Sequence, residues 1–155
     1  MKLHTVFITH NRLELTKRAI ASYLETVSVP FQMVIVDNGS TDGSVEWLRG
    51  AFSVIAEEEN RYPGAATNSG WLNLTPSYDP SCTHLHRADN DHIFLPGWCE
   101  AVAEVFENEK VGQVGLRTSA EELNAQSNTG GNCVIRRELW DAGLRWDERP
   151  WPQLR

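Results

Sequence analysis

The stretch Met33-Val34-Ile35-Val36-Asp37-Asn38-Gly39-Ser40-Thr41-Asp42-Gly43 changes abruptly from apolar to turn-forming residues at position 37. Its first part, residues 33–36, is an apolar run of the kind that is typical of a buried strand. Its second part contains only Asp, Asn, Gly, Ser and Thr, which favour turns and helix caps. We therefore predict a buried strand, a tight turn, and then a short helix on which Val45 and Leu48 face inward.

The same alternation continues in both directions along the chain. Short apolar runs predict further strands at 5–9, 52–56, 83–87, 111–116 and 133–135, and helices are predicted over 13–26, over 64–72 and after Pro96. The predicted inward residues are Leu15, Ala19, Ile20, Tyr23 and Leu24 on the first helix, and Trp98, Val102, Val105 and Phe106 on the last. This alternation implies one α/β domain over residues 1–155, with a mostly parallel sheet flanked by helices.

Three polar clusters directly follow predicted strands. They are Thr9-His10-Asn11-Arg12, Asp37-Asn38-Gly39-Ser40 and Asp89-Asn90-Asp91. Ligands of open α/β sheets bind beyond the carboxyl ends of the strands. We therefore expect the three clusters to converge on one crevice.

The third cluster has the chemistry of a metal site. Asp89 and Asp91 are separated by one residue, and two unpaired carboxylates so close together repel each other. A hard divalent cation such as Mn²⁺ or Mg²⁺ relieves that repulsion, because it favours carboxylate oxygens, water and phosphate as ligands. The pattern predicts such a cation at this strand end, and the alternative is a solvated acidic turn.

A second metal site is a competing interpretation. Cys82, His84 and His86 alternate along a predicted strand, with His92 nearby, so that their side chains would share one face and hold zinc. The alternative is that this face is simply packed in the interior of the domain. The trio also lacks the usual spacing of zinc ligands.

Composition excludes several classes of protein. The net charge of −7 and the absence of a Lys/Arg-rich run argue against nucleic-acid binding. No apolar run approaches the roughly 20 residues of a transmembrane segment. The three cysteines are an odd, widely spaced set, and the N-terminus lacks the features of a signal peptide. We expect a cytoplasmic protein.

Several motifs together resemble glycosyltransferase family 2, in the order that this family has them. They are Thr9-His10-Asn11-Arg12, Val36-Asp37-Asn38-Gly39-Ser40-Thr41-Asp42, Asn60 to Gly70, Asp89-Asn90-Asp91 with the following Pro96-Gly97, and Gly130 to Arg137. The resemblance covers residue 5 to about residue 148. It implies the GT-A fold, which is Rossmann-like, with a nucleotide-binding half over 1–97 and a curtailed acceptor half over 98–155.

The resemblance also implies a role for each matching residue. Thr9 and Asp37 would contact the nucleobase, with Asn11 and Arg12 near the same pocket. Asn60, Gly64 and Asn68 would line the nucleotide cleft, and Asn90 belongs to the same set. Asp89 would hydrogen-bond the ribose or the sugar, and Asp91 would bind Mn²⁺ or Mg²⁺. The donor would be a nucleotide diphosphate sugar, with a UDP-sugar favoured because of Asp37.

The resemblance also implies that the sugar is transferred to an acceptor hydroxyl with inversion. Such a transfer needs a general base. The resemblance leaves that base open, and Asp147 and Glu148 are the candidates that the sequence offers. The acceptor itself, a glycan, a lipid or a protein, is not specified. Two alternatives remain: a nucleotide-sugar-binding module without efficient transfer, and a nucleotidyltransferase, whose Gly-rich N-terminal signature is missing. The signatures of esterases, P-loop NTPases and dinucleotide dehydrogenases are also missing.

Overall fold

Strands and helices alternate along most of the computed structural model, which describes residues 1–73, 79–116 and 131–149. The strands are β1 (Leu3–Thr9), β2 (Phe31–Asp37), β3 (Val54–Ala56), β4 (His84–Asp89), β5 (Gln113–Gly115) and β6 (Cys133–Arg136). The helices are α1 (Leu13–Thr26), α2 (Ser44–Arg49), α3 (Tyr62–Leu72), α4 (Trp98–Val105) and α5 (Arg137–Asp141).

The strands form one sheet in the order β3-β2-β1-β4-β6-β5. The first four strands in this order are parallel, whereas β6 is antiparallel to both β4 and β5. The register pairs Thr9 with Asp37 and Ile8 with Asp89. The carboxyl ends of β1, β2 and β4 therefore meet at one edge, as expected for the three polar clusters.

The two faces of the sheet carry separate parts of the core. Val6, Val36 and Leu85 face α3, where Trp71 packs against Trp140 and Trp146 from the C-terminal segment. The helix α3 lies close to the sheet because Gly70 has no side chain. A Cβ at that position would be 2.6 Å from Cγ1 of Val6. The opposite face is covered by α1, α2 and α4, with Phe7, Ile35, Tyr23 and Leu48 in one cluster and Val102 of α4 in another.

The predicted α/β architecture is confirmed, with local differences. The helix α3 begins two residues earlier than predicted, and α5 was not predicted. Leu15, Leu24 and Val105 were predicted to face inward, but 40%, 44% and 45% of their surfaces are exposed. On α1 the buried face includes Thr16 and Tyr23, because the Thr16 hydroxyl accepts a hydrogen bond from Asn90. Polar partners on neighbouring loops thus rotate the buried face away from the leucines.

The zinc hypothesis for Cys82, His84 and His86 is wrong. The strand β4 begins only at His84, so the alternation does not reach Cys82, which packs with Leu85 on the α3 side. The two histidines point to the other side, where His84 contacts Phe106 and His86 stacks on Tyr23. Within residues 1–73, 79–116 and 131–149, no group of three potential ligands is placed to hold a metal ion.

Among residues 1–73, 79–116 and 131–149, none forms a helix with the length and apolar character needed to cross a bilayer. Residues 150–155 and Gly130, the first residue of the family-like motif from Gly130 to Arg137, lie outside the described residues.

Candidate donor cleft

A cleft of about 300 Å³ lies at the carboxyl ends of β1, β2 and β4. The residues that line it come from four segments, the ends of β1 and β4 with the loops after them, the loop after β2, and the start of α3 with the loop that precedes it. They are mostly polar: Ile8, His10, Arg12, Asn38, Asn60, Pro63, Arg87, Asp89, Asn90 and Asp91. Members of all three polar clusters are therefore brought together. The predicted convergence on one crevice agrees with this geometry.

Both carboxylates of the acidic pair face arginines in this cleft. The Arg87 guanidinium lies 3.2 Å from Oδ1 of Asp89, and both side chains are largely shielded from solvent. Asp91 is more open, with 43% of its side chain exposed, and its Oδ2 accepts a hydrogen bond of 3.0 Å from Nη1 of Arg12. The Oδ1 of Asp91 lies 3.1 Å from Nδ1 of His92.

The charges of these two pairs cancel, so that the cleft offers little net attraction to an anionic ligand. A divalent cation added at the carboxylates would make the cleft positive, which suits a diphosphate. Mg²⁺ and Mn²⁺ sites commonly use one or two protein carboxylates and take their other ligands from water and substrate phosphate. Asp89 and Asp91 fit such a site by their chemistry and by their shared cleft.

The turn after β2 is built around the carboxylate of Asp37, which is fully buried. Its Oδ2 accepts hydrogen bonds from the hydroxyls of Thr9 at 2.8 Å and Ser40 at 2.7 Å, and its Oδ1 accepts the N–H of Ser40 at 2.8 Å. Thr9 is also fully buried. The two residues predicted to contact the base are thus bonded to each other and are not among the residues that line the cleft. Their contact with a nucleobase stays a prediction.

The loop after β1 is held in a left-handed backbone conformation at Asn11 and Arg12, with φ of 53° and 60°. Asn tolerates this region better than most residues because its side chain forms local hydrogen bonds. Here Oδ1 of Asn11 accepts the N–H of Thr41 at 2.9 Å, and the N–H of Asn11 donates to Ser40 Oγ at 2.7 Å. The conformation presents the Arg12 side chain to Asp91 across the cleft.

Two further asparagines fix the walls of the cleft. Oδ1 of Asn60 accepts from Nδ2 of Asn38 at 3.0 Å and from the N–H of Tyr62 at 2.9 Å. Asn90 donates through Nδ2 to the carbonyl oxygen of Asn11 at 3.1 Å and to Thr16 Oγ1 at 2.9 Å. Asn60 and Asn90 line this cleft, and their amides bond to the protein itself. Their contact with a nucleotide stays a prediction.

Gly64 and Asn68 lie against the C-terminal segment instead of lining the cleft, which corrects their expected position. A Cβ on Gly64 would be 1.9 Å from the carbonyl oxygen of Asp147. Asn68 is buried, and its amide bonds to the backbone of Trp146 and to Glu148. The physical reason is that α3 turns these two positions toward residues 146–148, whereas Pro63 faces the cleft.

The two candidate bases are placed beside α3 and outside the cleft lining. Oε1 of Glu148 accepts a hydrogen bond of 2.8 Å from Asn68. Asp147 is exposed and is bound by the Arg149 side chain, whose hydrogen bonds lower the pKa of that carboxyl to about 2. A carboxylate of such low pKa is ionised at neutral pH but is a weak proton acceptor.

Three polar residues that line the cleft were given no role by the sequence prediction: His10, Asn38 and Arg87. Arg87 could have been found, because strand alternation places it on the same face as Asp89, two residues later. His10 and Asn38 lie inside clusters that were recognised, and Nδ1 of His10 is 2.9 Å from the carbonyl oxygen of Asn38.

The fold of the chain is similar to that of solved glycosyltransferases. These include the mannosyltransferase PcManGT from Pyrobaculum calidifontis in complex with GDP-Man and Mn²⁺, with a TM-score of 0.76 at 17% identity over 95% of this chain and 48% of that one. S. aureus TarS 1–349 in complex with UDP-GlcNAc has a TM-score of 0.62 at 20% identity, over 95% of this chain and 49% of that one. Glucosyl-3-phosphoglycerate synthase from Mycobacterium tuberculosis, with Mn²⁺, UDP and glucosyl-3-phosphoglycerate, has a TM-score of 0.64 at 17% identity, over 89% and 57%.

At these identities the similarity establishes the fold, which is of the GT-A type. The chain spans about half the length of these structures, with 48% to 57% of each covered. No curated protein matches the sequence. The sequence profile described as glycosyl transferase family 2 matches residues 5–132, which is most of the chain. The chain therefore belongs to glycosyl transferase family 2.

Proposed function

We propose that this chain is the donor-binding part of an inverting, metal-dependent glycosyltransferase. It would bind a nucleotide diphosphate sugar and support transfer of the sugar to an acceptor hydroxyl. The observation that carries the proposal is that Asp89 and Asp91 line one cleft with Arg12 and Arg87 at the ends of parallel strands. Two of the similar structures contain Mn²⁺ together with a nucleotide or a nucleotide sugar, which supports the same chemistry here.

In this proposal the cleft binds the diphosphate. Asp91, with Asp89 beside it, would hold Mn²⁺ or Mg²⁺, and the cation would offset the negative charge that develops on the leaving diphosphate. Arg12 is exposed and reaches into the cleft, so that its guanidinium is available to a phosphate oxygen once Asp91 has another partner. Arg87 keeps Asp89 oriented from the strand below.

The nucleobase would lie on the Asp37 side of the cleft, and we favour UDP because a carboxylate can accept the uracil N–H. Both oxygens of Asp37 already accept hydrogen bonds within the turn. Contact with the base therefore requires Asp37 to exchange the Ser40 hydroxyl for the ligand. Thr9 would keep its hydrogen bond to the same oxygen, Oδ2, and the N–H of Ser40 would keep Oδ1 in place.

The transfer forms a bond between the acceptor oxygen and the anomeric carbon as the bond from that carbon to the diphosphate breaks. The nucleoside diphosphate leaves with the electron pair, and the hydroxyl proton passes to a base. Asp147 is our candidate base and Glu148 is the second candidate. The ion pair between Asp147 and Arg149 must then open.

We also propose a reducing, cytoplasmic setting, which three free and buried cysteines support.

The second candidate function is a nucleotide-sugar-binding module without efficient transfer. It is favoured by the position of Asp147 and Glu148, which lie outside the residues that line the cleft. Both functions predict metal-dependent binding of a nucleoside diphosphate, and only the first predicts turnover. Release of nucleoside diphosphate from a panel of nucleotide sugars, with and without acceptors, separates them.

Calorimetric titration with UDP, GDP and CDP tests the donor site, first with Mn²⁺ and then with a chelator. We expect binding with the metal and a loss of at least about tenfold with the chelator, which equals 1.4 kcal/mol or more. Asp91→Ala should remove this metal dependence. Asp141→Ala is the matched control, because Asp141 is also an exposed aspartate paired with an arginine, but outside the cleft. Equal, metal-independent binding in all three proteins would contradict the proposal.

A further inference from the structure

A second and larger cavity adjoins the donor cleft. It has a volume of about 720 Å³, within the range of small-molecule sites, and lies between α4 and the β5 edge of the sheet. Its walls are mostly apolar and include Phe94, Trp98, Val102, Val114 and Leu116. Such walls offer a diphosphate few charges or hydrogen-bond donors, so this cavity suits a different ligand of the reaction.

The cavity and the donor cleft share Asp91, which lines both. Polar groups of the cavity are concentrated at that junction and at Asn132, whereas the loop between Asp91 and α4 carries apolar side chains that are open to solvent. Ile93 is 49% exposed and Leu95 is 68% exposed. Exposed apolar side chains beside a cavity commonly mark a site for an apolar ligand.

We propose that this cavity is the acceptor subsite, and that it takes a lipid-like acceptor whose hydroxyl or sugar head is carried on a hydrocarbon group. The inference rests on the proposed function, because it names the acceptor class for the same reaction. The hydroxylated end would lie at Asp91, next to the sugar of the donor. The hydrocarbon group would extend along Phe94 and Trp98 toward Val114 and Leu116.

The continuity through Asp91 is what selects an acceptor over an unrelated ligand. An acceptor must place one oxygen beside the donor sugar while the rest of the molecule lies elsewhere, and this cavity has one polar end at the donor cleft. A polysaccharide acceptor would need polar groups along the whole path. The walls between Phe94 and Leu116 are predominantly hydrocarbon and do not provide them.

Binding of n-octyl β-D-glucopyranoside, used below its micelle concentration, tests the proposal, with methyl β-D-glucopyranoside as the comparison. The two probes share a hydroxylated head and differ in the alkyl chain. Since each buried methylene contributes to transfer from water, we expect the octyl compound to bind at least about tenfold more tightly. Ile93→Ser combined with Leu95→Ser should weaken octyl glucoside binding by about tenfold and leave Mn²⁺-dependent UDP binding unchanged.

Leu72→Ser is the matched control, because Leu72 is 52% exposed on α3 and does not line the cavity. It should change neither titration. Equal affinity for the octyl and methyl compounds, no binding of either, or an unchanged octyl affinity in the double variant would overturn the acceptor proposal. If the parent protein binds octyl glucoside but does not bind UDP, the result would instead contradict the proposed donor site.

Discussion

The side-chain amide of Asn68 pairs with the backbone of Trp146 in both directions. Nδ2 donates to the carbonyl oxygen of Trp146 at 2.9 Å, and Oδ1 accepts the N–H of Trp146 at 3.0 Å. Nδ2 also donates to Oε1 of Glu148 at 2.8 Å. A backbone group that is withdrawn from water needs such a partner. Asn68 therefore fixes the segment that carries both candidate bases to α3.

The first prediction concerns the three hydrogen bonds that join Asn68 to Trp146 and Glu148, which we call the clamp. Asn68→Ala removes three hydrogen bonds, and at about 1 kcal/mol each the free energy of unfolding should fall by about 3 kcal/mol. Urea unfolding measures the change, and limited proteolysis should show earlier cleavage near residue 147. Asn73→Ala is the control, because Asn73 is exposed at the C-terminal end of the same helix and its amide bonds to Ser69 within that helix. Equal, small effects of the two substitutions would contradict the clamp.

The second prediction concerns Gly64, one turn before Asn68 on α3. Replacing glycine by alanine inside a helix normally stabilises it by about 1 kcal/mol. Here the added Cβ would lie 1.9 Å from the carbonyl oxygen of Asp147, so Gly64→Ala should destabilise the protein. The cost should shrink when Asn68→Ala is already present, because the 146–148 segment is then free to move away. Additive effects in this double-mutant cycle would show that the two residues act independently.

The third prediction separates two roles of Asp37. As a base contact it should matter to nucleotide affinity, and as the centre of the turn it should matter to stability. Asp37→Asn should weaken UDP binding by about tenfold, or 1.4 kcal/mol, without changing its dependence on Mn²⁺. Ser40→Ala is the control, because it removes one hydrogen bond to Asp37 but keeps the carboxylate. If both variants lose UDP affinity equally, Asp37 acts only through the shape of the turn.

The architecture could be predicted because it depends on local patterns. The apolar run before Asp37 and the turn formers after it determine a strand end whatever the rest of the chain does. The parallel register then places Thr9, Asp37 and Asp89 at one edge. The same rule that predicts the strands therefore predicts that the polar clusters meet.

Contacts between distant parts of the sequence could not be predicted in the same way. The partner of Asn68 is 78 residues away, and nothing in the pattern around either residue identifies the other. Family resemblance suggested a nucleotide contact for Asn68, whereas the tertiary packing of Trp146 on Trp71 determines what its amide meets. The exposure of Leu15 has a similar cause, because the Asn90 amide draws Thr16 inward.

His86 shows how polar groups are accommodated beneath the site. Its ring is completely buried and stacks on Tyr23 at a centroid distance of 5.7 Å. Nε2 lies 2.9 Å from Oδ1 of Asn132 and Nδ1 lies 3.3 Å from the Thr5 hydroxyl, so both ring nitrogens have partners. Burial lowers the pKa of His86 to about 4, because the charged form would lose its hydration.

The last prediction follows from the sign of that shift. Between the unfolded pKa of about 6.5 and the folded pKa of about 4, the unfolded chain binds more protons at His86, so acid destabilises the fold. The stability that the neutral ring contributes is fully present above pH 6.5 and is lost as the pH falls. At pH 5 the free energy of unfolding has decreased by about 2 kcal/mol through His86.

The variant His86→Gln keeps an amide donor for Asn132 but does not titrate. Its urea unfolding free energy should therefore decrease by about 2 kcal/mol less than that of the parent between pH 7.5 and pH 5. Because His4 and His84 have pKa values lowered in the same direction, some acid sensitivity should remain in the variant. Identical decreases in both proteins would mean that His86 accepts a proton without unfolding.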